Sequence, residues 1–428
     1  MRLASDGSGV VFGMISAIVT ARVLGPAGKG TLAALTFVTL LVGQCCVLGL
    51  GDAAVVRVGQ AKASVQEALS SSLVAVLLAS IGGAVAVLVY AILQLPLDNS
   101  GVRAAVGVAC FTVIVSSVGQ LLLFVVYATH RIVAVSVMTI AMSATTAAGI
   151  VVFCAALGLG ILGAALASLV VATLGFGAGA TMLHRAQLSL RPRASRVYLR
   201  PALAYGVRTQ AANVLAYSSA RLDLLFVYAL ASQREAGIYS VALTLGTITG
   251  FVAIGLSFAS FPRMAGMTDH QALDLTAEMT RITALVGVAL ALLIAAVLST
   301  LVKVLLGGDY RDVLAPAVVL LVANVLWGGQ WLLSRALASR GEPRLLMRSF
   351  LLNLATMAAA DAALIPLAGA MGAAFGTLLA TTAGLLLCLK TYRDRGVPVS
   401  AFVPRRGDVL RLWTIGQRVA LGVRQALP

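Results

Sequence analysis

An arginine, Arg221, stands inside an otherwise apolar run, YGVRTQAANVLAYSSARLDLLF from Tyr205. On a helix advancing about 100° per residue, Gln210, Asn213, Tyr217, Arg221 and Tyr228 fall within roughly 80° of one another. They form one polar stripe. A planar guanidinium grips phosphate or carboxylate with two parallel hydrogen bonds, and tyrosines and amides can hold sugar rings and hydroxyls. Arg221, Gln210, Asn213 and Tyr217 are therefore the candidate substrate-binding residues. Asp223 points about 200° away from Arg221 on an ideal helix, so the two are not a same-face pair. A salt bridge that fixes helix packing remains the alternative role for Arg221, and an interhelical hydrogen bond that for Asp223.

Polar groups recur further on. Asn353 and Asp361 share one apolar run, and Asn324, Trp331 and Arg335 share a face of another. Ionisable side chains at such depth are costly and mark pathways or couplings, so Asp223 and Asp361 are the candidate ion-coupling carboxylates, for protons or sodium. Arg335, near the end of its run, reads as an anchor that snorkels to the surface. Gln44 and Gln120 are candidates for the wall of a polar cleft.

Soluble catalytic chemistry has no place to reside. The longest polar stretches, about 184–204 and the tail from Thr391, are basic and hold no phosphate loop, zinc motif, nucleophile elbow or paired carboxylates. Cys45, Cys46, Cys110, Cys154 and Cys388 lack metal-ligand spacing and read as small packing residues. The expectation is a chain that is not an enzyme and carries no metal or cofactor.

The elements that must position these residues are membrane helices. The 428 residues are 60% hydrophobic and 11% charged, with a mean hydropathy of +1.00, far outside the soluble range. Runs long enough to cross a bilayer lie at about 8–23, 31–51, 69–95, 104–126, 132–156, 159–183, 205–230, 237–261, 281–302, 313–334, 346–367 and 369–390. The chain is also duplicated. GILGAALASLVVAT from Gly160 returns as GAMGAAFGTLLATT from Gly369, six of the fourteen positions identical. Gln120 with Arg131 has a counterpart in Gln330 with Arg340, and KGTLAAL around Gly30 resembles AGIYSVAL around Gly237.

A fixed long offset marks two like-built halves, and six crossings per half make the repeats parallel. The fold class is thus all-α integral membrane, about twelve helices in two six-helix lobes around a central cavity. The expected divisions are an N-terminal lobe at 1–183, a basic cytoplasmic linker at 184–204, a C-terminal lobe at 205–390 and a basic amphipathic tail at 391–428. Within the tail, Val409 to Val423 has the pattern of an interfacial helix.

Charge sets the orientation. Arg2, Arg57, Lys62, Arg131, Arg185, Arg191, Arg193, Arg196, Arg200, Arg263, Arg281, Arg340, Arg344, Arg348 and the basic tail lie on one side, whereas the other side holds only Arg22, Lys29, Arg103, Arg234, Lys303 and Arg311. The positive-inside rule places both termini in the cytoplasm. The net charge of +16 is accounted for by loops beside anionic lipid, which sets nucleic acid aside. No cleavable signal peptide precedes the first run, and Met1 to Gly7 is a short lead into it, as expected if the natural start lies upstream.

ARVLGPAGKG from Ala21 to Gly30, the run from Tyr205, EAGIYSVAL from Glu235, Phe261–Pro262 and both G-x-x-G-A-A segments together resemble bacterial polysaccharide exporters and O-antigen flippases. These belong to the multidrug/oligosaccharidyl-lipid/polysaccharide exporter superfamily, and the resemblance covers nearly the whole chain. It implies two six-helix lobes, a cationic cavity and alternating access in the bacterial inner membrane. The implied cargo is an undecaprenyl-pyrophosphate-linked oligosaccharide turned from inner to outer leaflet, with glycosyltransferases or a polymerase as partners. A drug or cation antiporter of the same superfamily would want an acidic cavity, which the excess of arginine in the central runs disfavours. A membrane scaffold for glycosyltransferases is the other alternative.

Overall fold

The computed structural model describes residues 2–60, 62–128, 132–264, 267–339, 342, 344–405 and 407–408. Helices carry nearly all of it. In order they are α1 (Arg2–Cys46), α2 (Leu50–Gly59), α3 (Val65–Gln94), α4 (Ser100–Ala128), α5 (Ile132–Ile150), α6 (Gly160–Arg185), α7 (Arg196–Arg221), α8 (Asp223–Leu230), α9 (Gln233–Met264), α10 (Asp269–Leu305), α11 (Leu314–Ser339) and α12 (Arg344–Arg393). A π-helical turn, Val151–Ala156, ends α5, and 3₁₀ turns occupy Gly308–Val313 and Val399–Phe402. The expected interfacial helix at 409–423, and Arg131 and Arg340 of the repeat, lie outside the described residues.

Among the described residues nine helices are long and apolar enough to cross a membrane. Large aliphatic side chains on their outer faces, such as Leu78, Ile92, Leu93 and Leu292, are exposed, as suits helices solvated by lipid. This is a multi-pass membrane protein.

Two of those nine are folded back on themselves. A straight helix of the 50 residues in α12 would be about 75 Å long, more than twice the hydrocarbon thickness of roughly 30 Å. It turns at Gly369, whose φ of 52° and ψ of −128° no helix contains. The bare Cα positions of Gly372, Gly376 and Gly384 then meet Leu364, Asp361 and Asn353 in turn, as the arms of a hairpin must. α1 turns likewise at Gly25, with φ 65° and ψ 177°. Beyond that turn Lys29 Nζ reaches back to donate to Thr20 Oγ1 at 2.7 Å, where a straight helix would hold their Cα atoms about 13 Å apart. α7 falls outside the nine because Arg196, Arg200, Arg208, Arg221 and its other polar residues dilute its apolar content, and α8, apolar but only eight residues long, is too short to cross by itself.

Contacts divide the chain into two compact units, Met1–Val241 with Leu305–Asp309, and Ala242–Val304 with Tyr310–Pro428. In the first, Leu50, Leu69, Leu121, Leu122, Leu183 and Tyr198 join α2, α3, α4, α6 and α7 in one core. The stretch between α6 and α7 is clipped to α3: the Gln66 amide donates to the Ser189 carbonyl and accepts from its N–H, both at 2.7 Å, and Ser195 Oγ donates to Glu67 Oε1 at 3.0 Å. In the second unit, Leu333, Leu337, Cys388, Tyr392 and Phe402 form a core joining α11 to the second arm of α12. There Arg281 Nε binds Asp408 Oδ2 at 2.8 Å and ties residues beyond α12 to α10.

The duplicated segment keeps its structural role. Gly160 and Gly369 both take positive φ, 57° and 52°, a conformation that costs glycine little. Three residues on, a Cβ on Gly163 would overlap the Phe153 carbonyl, and one on Gly372 the Leu364 carbonyl. Each G-x-x-G thus turns the chain and then lets the new helix press on the backbone of the one before it.

Candidate functional site

The polar stripe of α7 and α8 runs antiparallel along the second arm of α1, inside the first unit. Glycines set the spacing at both ends. A Cβ on Gly49 would overlap the backbone of Gly206, and one on Gly30 the carbonyl of Gln233. At the break between α1 and α2, where Leu48 and Gly49 take positive φ, the last carbonyls of α1 lose their helical donors. Gln210 supplies one, its Nε2 donating to the Gln44 carbonyl at 2.6 Å. Asn213 Nδ2 lies 3.4 Å from Asp52 Oδ2 at the start of α2, a long and weak bond. Tyr217 stacks on Phe37, centroids 5.6 Å apart and planes 6° from parallel. Tyr228 and Thr31 hydroxyls are 3.5 Å apart.

The structure therefore brings Gln210, Asn213, Tyr217 and Arg221 to one seam, and all but Arg221 have a partner across it. Arg221 is half-buried and forms no hydrogen bond or ion pair among the described residues. Its charged neighbour is a second cation, Lys29, which lies within electrostatic reach. Asp223, two residues away and 1% exposed, is committed elsewhere: Tyr239 Oη donates to its Oδ2 at 2.5 Å, and Leu224 N–H to its Oδ1 at 2.8 Å. The interruption at Leu222 separates the two roles, closing α7 on the cation and opening α8 on the carboxylate.

Asp361 belongs to the second unit and is fully buried, its Oδ1 lodged where a Cβ on Gly376 would stand. Two turns earlier Asn353 meets Gln330. The amide orientation that satisfies both points the Asn353 nitrogen at the carbonyls of Ala380, 2.8 Å, and Ser349, 3.2 Å, and its oxygen at Gln330 Nε2, 3.0 Å. Gln44 contributes its backbone rather than its side chain to the seam, and Gln120 instead lines an apolar cavity of about 370 Å³ among α1, α4, α5 and α6.

Lys29, Asp52 and Phe37 are the site residues that the sequence pattern missed. Nothing in their own runs marks them, because their significance comes from α7, more than 150 residues away. The five cysteines are free thiols, with Cys46, Cys154 and Cys388 buried among helices. Among the described residues no three His, Cys, Asp or Glu side chains gather as metal ligands.

Residues 19–315 match the family described as polysaccharide biosynthesis protein. The chain belongs to that family. Among solved structures it is similar to the lipid II flippase MurJ in an inward closed conformation, with a TM-score of 0.74 and 11% identity over 94% of this chain and 88% of that one. It is similar also to an inward-facing multidrug resistance MATE family transporter of the MOP superfamily, with a TM-score of 0.65 and 14% identity over 92% and 95%. A third is a MOP superfamily transporter from Pyrococcus furiosus, with a TM-score of 0.63 and 14% identity over 94% of both chains. At these identities the likeness is one of fold, that of the MOP-superfamily transporters. No curated protein matches the sequence.

Proposed function

We propose that this protein is a flippase that carries an undecaprenyl-pyrophosphate-linked oligosaccharide from the inner to the outer leaflet of the bacterial inner membrane by alternating access. The observation that carries the reading is the Arg221 guanidinium with Lys29 in electrostatic reach, two like charges at a helix seam with no carboxylate bonded to Arg221 among the described residues. Two cations held together away from bulk water repel each other, and an anion between them removes that cost. A pyrophosphate, with several charged oxygens, fits both.

The physical obstacle to flipping is the passage of a charged, hydroxylated head through hydrocarbon, where each unsatisfied polar group costs several kcal/mol. A polar seam that opens offers replacements. Gln210 would exchange the Gln44 carbonyl, and Asn213 the Asp52 carboxylate, for sugar hydroxyls, while Tyr217 would leave Phe37 to pack on a sugar ring. Each exchange is close to isoenergetic, since a net hydrogen bond is worth only about 0.5–1.5 kcal/mol. The lipid tail stays among the outer faces of the helices.

The reading takes the chain as twelve crossings: the folded α1 and α12 contribute two each, and α7 with α8 one. The lobes are 1–183 and 205–390, with the linker 184–204, the tail 391–428 and both termini in the cytoplasm. Asp223 and Asp361 are the carboxylates to which coupling with a proton or sodium gradient would fall, and glycosyltransferases or a polymerase the expected partners. The direct test is polymer export in cells. Arg221→Ala at normal membrane levels should abolish it, and Arg221→Lys should restore it only in part, because a point charge replaces a fork; full export by the alanine variant would remove the assignment.

A further inference from the structure

The face of α11 that carries Trp331 and Arg335 is a built column in the second unit. Trp327 and Trp331, one turn apart, stack with centroids 5.1 Å apart. One turn further the Arg335 guanidinium lies 4.3 Å from the centre of the Trp331 ring. The indole is pinned from other elements as well, since its Nε1–H donates to Ser257 Oγ at 3.0 Å and Phe350 of α12 tilts against it at 6.2 Å. Stacking on an aromatic face suits a guanidinium and leaves its N–H fork free in a fixed place.

Among the described residues Arg335 meets no acceptor for that fork. Its Nε is buried without an acceptor, and the side chain forms no hydrogen bond or ion pair among the described residues. The side chain as a whole is half-buried, lying on the ring with its Nε sealed. Stacking on Trp331 gives a fixed direction to the arginine that the sequence reads as a surface anchor. A half-buried guanidinium with one N–H sealed from water and unbonded gains when an acceptor arrives, and the acceptor that matches a free planar fork is a pair of anionic oxygens. α12 begins a few residues further along the chain, and its opening turns carry two exposed arginines, Arg344 and Arg348, which would raise the local concentration of anions.

We propose that Arg335 on its Trp331 platform is a second anion subsite, separate from Arg221, that takes the phosphate oxygens of a membrane lipid. The inference rests on the proposed function for one thing only, the cytoplasmic placement of the end of α11, which makes this a subsite of the inner leaflet. The same chemistry is offered by the phosphate of a polyprenyl carrier and by the headgroup of a bulk phospholipid.

Intrinsic fluorescence reads the site directly, because the chain has three tryptophans and Trp413→Phe leaves only Trp327 and Trp331. The full-length protein in detergent would be titrated with polyprenyl phosphate, with phosphatidylglycerol and with uncharged polyprenol. A saturable change in emission with polyprenyl phosphate is expected. Arg335→Gln should weaken half-saturation at least tenfold and Arg335→Lys by less, the lysine variant carrying the test should the glutamine variant not fold. Saturation by polyprenyl phosphate alone identifies the carrier lipid; equal saturation by phosphatidylglycerol identifies bulk phospholipid. A response to polyprenol as strong as to its phosphate, an Arg335→Gln or Arg335→Lys curve that overlays the wild type, or no response to either phosphate would overturn the proposal. Translocation that depends on Arg221 would survive any of those results, so the two readings fail separately.

Discussion

Gly30 and Gly237 face each other, 207 positions apart, and each presses on the backbone four residues before the other: Gly30 on the carbonyl of Gln233, Gly237 on the carbonyl of Pro26. Gln233 and Pro26 are separated by the same 207 positions. A contact that maps onto itself when equivalent residues are exchanged is isologous, the signature of a local two-fold relation. Here it relates α1 to α9, two segments that the sequence pattern pairs as equivalents. Only glycine permits such close approach of two backbones.

That crossing should be intolerant of a single methyl. Gly237→Ala should lower the melting temperature of the detergent-solubilised protein, with a loss on the order of 1–3 kcal/mol for overpacking. Gly82→Ala, at a position with nothing within 4 Å of an added Cβ, is the control and should be silent. Equal melting temperatures for the two variants would contradict the close approach.

In the second unit Gly376 makes room for a carboxylate. Gly376→Ala is expected to destabilise the protein because the added methyl takes the place of Asp361 Oδ1. Truncating that side chain should relieve the clash, so Gly376→Ala with Asp361→Ala should cost less than the sum of the single changes, a coupling of about 0.5–3 kcal/mol in a double-mutant cycle. Additive losses would mean that the two positions are independent.

The segment beyond α12 should detach in acid. Burial raises the Asp408 carboxyl, but the Arg281 guanidinium and the Arg405 N–H outweigh it and hold the group below the usual carboxylate range. A depressed carboxylate stabilises the folded form above its unfolded value, about 3.9, and that contribution is lost as pH falls through the folded value. Residues 399–408 should therefore resist limited proteolysis at neutral pH and become cleavable below about pH 4. Asp408→Asn should be cleavable already at pH 7; protection equal to wild type there would show that the ion pair is not what holds the segment.

Much of this was legible in the residues, and for physical reasons. Apolar runs mark helices because lipid leaves the backbone no other way to satisfy its hydrogen bonds. G-x-x-G-A-A marked two turns because Gly160 and Gly369 must take positive φ and Gly163 and Gly372 must have no side chain. Gln210, Asn213, Tyr217 and Arg221 fell on one seam because a helical period of 3.6 can be counted along a single segment. What could not be counted was contact between segments. That Tyr239 rather than Arg221 holds Asp223, that Lys29 reaches back to Thr20 within electrostatic range of Arg221, and that Arg335 lies on Trp331 are all consequences of how helices pack. No spacing within one run reports them.

The central claim is that the protein moves a lipid-linked oligosaccharide across a bilayer and that Arg221 holds its pyrophosphate. Proteoliposomes loaded on one leaflet with a radiolabelled polyprenyl-pyrophosphate oligosaccharide, and probed from the other side with a glycosidase that cannot enter, measure this directly. The wild-type protein should make the label accessible far faster than empty liposomes do, and Arg221→Ala, reconstituted to the same density, should fall to the empty-liposome rate. Wild-type vesicles no faster than empty ones, or an alanine variant as fast as wild type, would contradict the account.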